Sequence, residues 1–182
     1  MNRLNLLVHP LYDAWREFEI SPSDITAWTK YVPAELSTSS VITNIVALTM
    51  IYDAYIEMLC DIPEDELIVC LWDTKLDNSM DGRPMEIIGE DANKLLRYHL
   101  KLKRKLRQLL AARGAFIIQD MPVDEIGPLL IAEFYRRYPE GDSRECTVIV
   151  RGEHRELCVE IAADQAAKFG FGTVTIDESY SF

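Results

Sequence analysis

Apolar residues along the chain form short continuous runs separated by longer stretches with helical spacing. Five runs predict strands, at residues 4–9, 66–72, 115–118, 146–150 and 173–176. Continuous apolar runs are typical of strands that are covered on both faces. Pro10 predicts that the first strand ends at His9, because proline has no backbone N–H to continue a central strand.

Apolar residues spaced three or four apart predict the helices. These helices cover residues 41–60, 91–113, 124–138 and 157–169, and turn chemistry at residues 21–24 predicts a further short helix over 23–30. Strands and helices therefore alternate at least four times, which predicts a mostly parallel sheet with helices on both faces. We expect a three-layer α/β/α sandwich that forms a single domain over residues 1–182.

The composition is that of an ordinary folded chain, with 48% hydrophobic and 27% charged residues among 182. No apolar run approaches the roughly 20 residues that span a bilayer, so no membrane segment is expected. Four cysteines without CxxC spacing indicate reduced thiols in the cytoplasm and argue against a structural zinc site. Neither a phosphate-binding loop nor a dinucleotide motif occurs, so no cofactor is predicted.

Charge is distributed unevenly in this acidic chain, whose net charge is −11. Residues 91–113 hold eight basic residues and one acidic residue, a charge of +7, while the remainder holds 11 basic and 29 acidic residues. The acidic balance disfavours nucleic acid and anionic membranes as partners. Four alternatives stay open for the basic segment: a solvated helix face, pairing with the acidic remainder of the same chain, pairing between subunits of a homo-oligomer, or an acidic protein partner at residues 94–113.

Candidate ligand contacts follow the predicted strands, because open parallel sheets bind ligands outside the carboxyl ends of their strands. The residues at or near these ends that we consider for a small-molecule ligand are Trp15, Trp72, Asp73, Gln119, Arg151, Gly152 and Glu153. A metal held by His9, Asp73, Asp120 and His154 is an alternative that rests on topology alone.

Cys158 is the candidate nucleophile, since it stands at the predicted start of the last helix. The N–H groups of a helix N-terminus would lower its thiol pKa and favour the thiolate. His154 precedes it by four residues, so the two would share one helix face as a thiolate–imidazolium pair. The alternative is a small buried cysteine that packs the helix onto the sheet.

Residues 148–177 contain a strand followed by Gly152, then Cys158-Val159 six residues later, an alanine-rich helix, Gly170, and a strand that ends in Asp177. This order and spacing resemble those of the isochorismatase-like cysteine hydrolases. Weaker similarity extends to Leu6 and Trp15 near the start of the chain and to Asn44 in the first long helix. The resemblance to this family implies an α/β/α fold with a parallel sheet, and hydrolysis of a small amide or ester through Cys158.

Two positions depart from the family's pattern. The family's aspartate at the end of the first strand corresponds to Pro10, and its lysine at the end of the middle strand corresponds to Gln119 or Asp120. The substitutes that we consider near Cys158 are His9, Asp13, Asp120 and His154 as proton-transfer groups, and Arg151 or Arg155 as the cation.

Two hypotheses follow from these departures. The first is a protein of this fold that lacks the catalytic aspartate and lysine and serves in binding or interaction. The second is a divergent cysteine hydrolase that acts through Cys158. Thiol reactivity distinguishes them, because only the thiolate is a nucleophile.

Overall fold

Among the residues that the structure describes, five parallel strands form one sheet, and four α-helices alternate with the strands. The computed structural model describes residues 2–11, 41–72, 90–153 and 155–181. The strands are β1 (Arg3–Val8), β2 (Leu67–Trp72), β3 (Phe116–Gln119), β4 (Thr147–Gly152) and β5 (Thr173–Ser181). The helices are α1 (Val41–Asp61), α2 (Glu90–Ala112), α3 (Gly127–Arg137) and α4 (Glu160–Lys168). These elements confirm the predicted α/β class; the short helix predicted at 23–30 lies outside the described residues.

The sheet has the strand order β3-β2-β1-β4-β5, and every pair is parallel. Leu6 in the central strand β1 pairs with Val69 on one side and Val150 on the other. The chain adds β2 and β3 on one side of β1 and then adds β4 and β5 on the other side. The order in which strands are added to the sheet therefore changes sides at the junction of β1 and β4, and we term this junction the reversal.

One face of the sheet packs against α3 and α4. The alternating residues Leu4, Leu6 and Val8 belong to a buried apolar cluster that includes Phe134 of α3 and Ala162 of α4. The two helices approach closely, since a Cβ atom at Gly127 would lie 2.1 Å from the ring of Phe169. The absence of a side chain at Gly127 therefore allows the ring of Phe169 to pack directly on the backbone of α3.

Both of these helices begin differently from the prediction. The segment predicted as one helix over 124–138 starts with a 3₁₀ turn at Val123–Glu125, and α3 begins at Gly127 with Pro128 in its first turn. Proline fits there because the first helical N–H groups have no acceptor within the helix. Before α4, residues Arg155–Val159 form a π-helical turn.

The chain divides into two compact units. The first contains the whole sheet and comprises Met1–Pro10, Cys60–Thr74 and Leu109–Phe182; the second comprises Leu11–Leu59 and Lys75–Gln108. Within the second unit the hydroxyl groups of Thr49 and Tyr98 hydrogen-bond at 2.8 Å and join α1 to α2. The single domain expected over 1–182 stays a prediction. None of the described helices is both long and apolar enough to cross a membrane.

Candidate functional site at the carboxyl edge of the sheet

Backbone hydrogen bonds extend the sheet one residue beyond the ends of three strands. His9 N donates to Leu71 O at 3.0 Å, and Asp120 N donates to Trp72 O at 3.0 Å. Glu153 N donates to Val8 O at 3.1 Å. The predicted edge residues His9, Asp120 and Glu153 are thus held at defined positions by the backbones of neighbouring strands.

The same edge concentrates unusual backbone conformations. His9 and Asp120 have φ angles of 48° and 52°, and Gly152 has a φ of 147°. Residues other than glycine rarely adopt a positive φ, because this conformation costs them about 1–2 kcal/mol. Such residues gather at functional sites, where the surrounding structure maintains the strain. This clustering supports the carboxyl edge as the functional end of the sheet.

Two of the candidates lie at the reversal between β1 and β4. His9 directly follows β1 and is half-buried, and Glu153 directly follows β4 and is only 5% exposed. Crevices at such reversals are the general ligand site of open α/β sheets. Small-molecule sites carry a few polar groups that orient the ligand, and both His9 and Glu153 are polar.

Cys158 lies in the π-helical turn between β4 and α4, and its half-buried side chain packs against the apolar cluster of the sheet. Burial raises the pKa of the Cys158 thiol above its ordinary value. This direction is opposite to our expectation. The expectation considered only the attraction of helical N–H groups, whereas loss of solvation by burial disfavours the thiolate.

Arg151 is engaged on the sheet face opposite to α3 and α4. Its Nε donates to Asp177 Oδ2 at 2.8 Å, and its Nη1 donates to Asn5 Oδ1 at 2.7 Å. Asn5 Nδ2 in turn donates to Glu66 Oε2 at 2.9 Å, and the ring of Tyr180 lies 6.0 Å from the guanidinium carbon. The guanidinium therefore connects β4 to both neighbouring strands. Arg151, which we considered as the cation beside Cys158, is thus already bound to other residues.

Sequence reasoning missed this polar network, although one signal was present. Asn5 interrupts the apolar strand β1, and its side chain is 1% exposed. A buried amide requires hydrogen-bond partners. Asn5 alone therefore predicts a polar neighbour, but the partners Glu66 and Arg151 become apparent only from the strand order.

The remaining candidates divide between the edge and the undescribed parts of the chain. Trp72 ends β2 with a buried indole, and Gln119, its register partner at the end of β3, is exposed. Asp13, Trp15, Asp73 and His154 lie outside the described residues. No group of three or more His, Cys, Asp or Glu residues suited to a metal ion occurs among the residues that are described.

Comparisons with known protein families, with curated proteins and with solved structures find no match to this chain.

Proposed function

We propose that this chain is an isochorismatase-like α/β/α sandwich that binds a small molecule between the ends of β1 and β4 and performs no thiol catalysis there. The observation that carries the proposal is the half-buried position of Cys158 against the apolar cluster of the sheet, which raises the pKa of its thiol. A thiol with a raised pKa is protonated at neutral pH, and the protonated form is not the nucleophile.

The groups that would activate Cys158 also argue against catalysis. Pro10 occupies the position where the family carries its aspartate, and proline cannot accept a proton. Arg151, one of the two arginines considered as replacements for the lysine, binds Asp177 and Asn5. An activated cysteine needs an adjacent base or a cation that stabilises its charge.

The geometry that favours binding is independent of the thiol. The strand order supports a ligand crevice between β1 and β4, and the buried Glu153 carboxylate follows β4 at that point. Small-molecule sites hold their ligands with a few polar groups, and His9 and Glu153 are polar residues that follow β1 and β4, so the favoured ligand is a small polar molecule, for which amines and amides serve as probes.

Hydrolysis assays test the catalytic half of this proposal. Wild type, Cys158→Ser and Cys60→Ser are incubated with p-nitrophenyl acetate and with benzamide, and product is followed by absorbance and chromatography. Cys60 is exposed, so its variant controls for nonspecific thiol reactions. We expect the same rate for all three proteins. Turnover that Cys158→Ser abolishes and Cys60→Ser retains would establish the cysteine hydrolase instead.

Backbone amide NMR tests the binding half. A library of small amines and amides at millimolar concentration is titrated into ¹⁵N-labelled protein. We expect at least one ligand to shift the amide signals of His9 and Glu153 together, with a smaller shift at Asp120, which lies two strands away from β1. Ligands that shift only other amides, or a library in which no ligand shifts His9 and Glu153, would overturn binding between β1 and β4.

A further inference from the structure

Helix α2 carries a row of exposed cations, which we term the basic stripe: Arg97, Lys101, Arg104 and Lys105. Residues three, four, seven and eight apart fall on one side of a helix. The opposite side of α2 is apolar and buried, at Leu102 and Leu106. The acidic residues of α2 are Glu90 and Asp91 at its N-terminus, six or more residues before Arg97.

The basic stripe has no ion-pair partner among the described residues. The ion pairs between described residues involve other cations, namely Arg3, Arg136, Arg144 and Arg151. Four like charges on about two helical turns repel one another. The approach of an anionic surface therefore lowers the electrostatic energy of the stripe.

Helix α1 offers an acidic counterpart within the same compact unit. Asp53 and Glu57 are exposed and four residues apart, and we term them the acidic stripe. The hydrogen bond between Thr49 and Tyr98 holds α1 against α2. Asp53 lies one turn beyond Thr49, and Lys101 lies three residues beyond Tyr98, so helix geometry places the two stripes next to this contact. We term the two stripes together the charged patch. Neither Asp53 nor Glu57 forms an ion pair in the part of the chain that the structure describes.

We propose that the charged patch binds the charged patch of a second copy of the chain, with each basic stripe against the acidic stripe of its partner. A twofold-symmetric interface requires a patch that is complementary to itself, and a surface with both charges side by side meets this requirement. Asp53 and Glu57 are four residues apart and so lie about 6 Å apart along α1. Lys101 and Lys105 have the same separation along α2, so these two pairs match in spacing on facing helices.

A second copy fits this surface better than a nucleic acid does. A phosphate backbone attracted to the basic stripe would also meet the acidic stripe beside it, in a chain whose net charge is −11. A second copy presents an anionic group opposite each basic stripe and a cationic group opposite each acidic stripe. The same argument disfavours a partner that carries acidic charge alone.

Charge-mediated association should depend strongly on salt, because exposed ion pairs are individually weak and screened. We expect sedimentation equilibrium to detect a dimer at 50 mM NaCl, with a dissociation constant that rises at least about tenfold at 500 mM. A chain that is monomeric at 100 µM and 50 mM NaCl would overturn the proposal.

Charge exchange between the stripes tests the partner directly. Lys101→Glu/Lys105→Glu should dissociate the dimer, and so should Asp53→Lys/Glu57→Lys. Because each variant carries the charge that the other requires, an equimolar mixture of the two should form a heterodimer. The matched control is Arg137→Glu/Lys168→Glu, which alters two other exposed cations and gives the same net charge as the first variant.

Each outcome has one meaning. Loss of the dimer in both stripe variants, its retention in the control and recovery in the mixture support pairing of the stripes. Loss in the control to the same degree would mean that net charge alone governs association. Failure of the mixture, with both variants folded by circular dichroism, would overturn the pairing of one stripe with the other.

Discussion

The backbone of Gly152 lies so close to that of Val8 that a Cβ atom at position 152 would stand 2.0 Å from the Val8 carbonyl oxygen. Gly152 also has a φ of 147°, which other residues rarely adopt. The backbones of β1 and β4 therefore come into direct contact at the point where the order of strand addition changes from one side of β1 to the other. Glycine is required there by both distance and conformation.

Gly152→Ala should destabilise the protein strongly, because the added methyl group must displace backbone atoms at the centre of the sheet. We expect a loss of about 3 kcal/mol in the free energy of unfolding, measured by urea denaturation. The control is Gly114→Ala, at φ 69° with no atom within 4 Å of the added Cβ, which should cost about 1 kcal/mol. Equal losses in the two variants would show that the close approach to Val8 is unimportant.

The Arg151–Asp177 ion pair should contribute measurably to stability, because both side chains are largely shielded, with exposures of 12% and 25%. A double-mutant cycle with Arg151→Ala and Asp177→Ala should give a coupling energy of about 1 kcal/mol. The control cycle is Arg144 with Asp142, which bond at 2.7 Å but are exposed by 81% and 37%. We expect a smaller coupling there; a larger one would contradict the role of burial.

His99 should make stability fall in mild acid. Burial and the charge of Lys103 lower the pKa of His99 to about 4, although its Nε2 hydrogen-bonds Leu11 O at 2.9 Å. Since the unfolded chain has a histidine pKa of about 6.5, it binds a proton first as the pH falls. This contribution is complete above pH 6.5 and is lost progressively down to pH 4.

The measurement is urea denaturation of wild type and His99→Gln at pH 7.5 and pH 5. Carboxylates contribute equally to both proteins, so the difference isolates His99. Wild type should lose about 2 kcal/mol more than the variant over this interval. Identical losses would mean that His99 titrates normally in the folded state.

The apolar pattern allowed the elements to be predicted but left their order in the sheet undetermined. The uninterrupted run in β2 and the leucine stripe of α2 each carry enough periodicity to define an element. The order β3-β2-β1-β4-β5 depends on pairing between distant segments, which no local pattern encodes. Pro10 was informative in a different way, because the missing N–H limits β1 whatever its neighbours are.

The sequence predicted which residues lie at the carboxyl edge of the sheet, whereas the contacts of these residues could be predicted only in part. The general behaviour of parallel sheets was sufficient to select the edge where His9, Asp120 and Glu153 are held. The thiol pKa of Cys158 and the partners of Arg151 depend on burial and on contacts between strands. Neither can be obtained from spacing along the sequence, and both alter the inferred chemistry.

Alkylation of Cys158 by iodoacetamide across the pH range tests the central claim most directly, with each cysteine peptide followed by mass spectrometry. N-acetylcysteine serves as the reference thiol, and Cys146, whose pKa burial raises to about 11, serves as the protected comparison. We predict that Cys158 reacts more slowly than the reference at pH 7 and that its apparent pKa lies above that of the reference. Rapid alkylation at pH 7 with an apparent pKa below the reference would reveal a stabilised thiolate and contradict a binding protein without thiol catalysis.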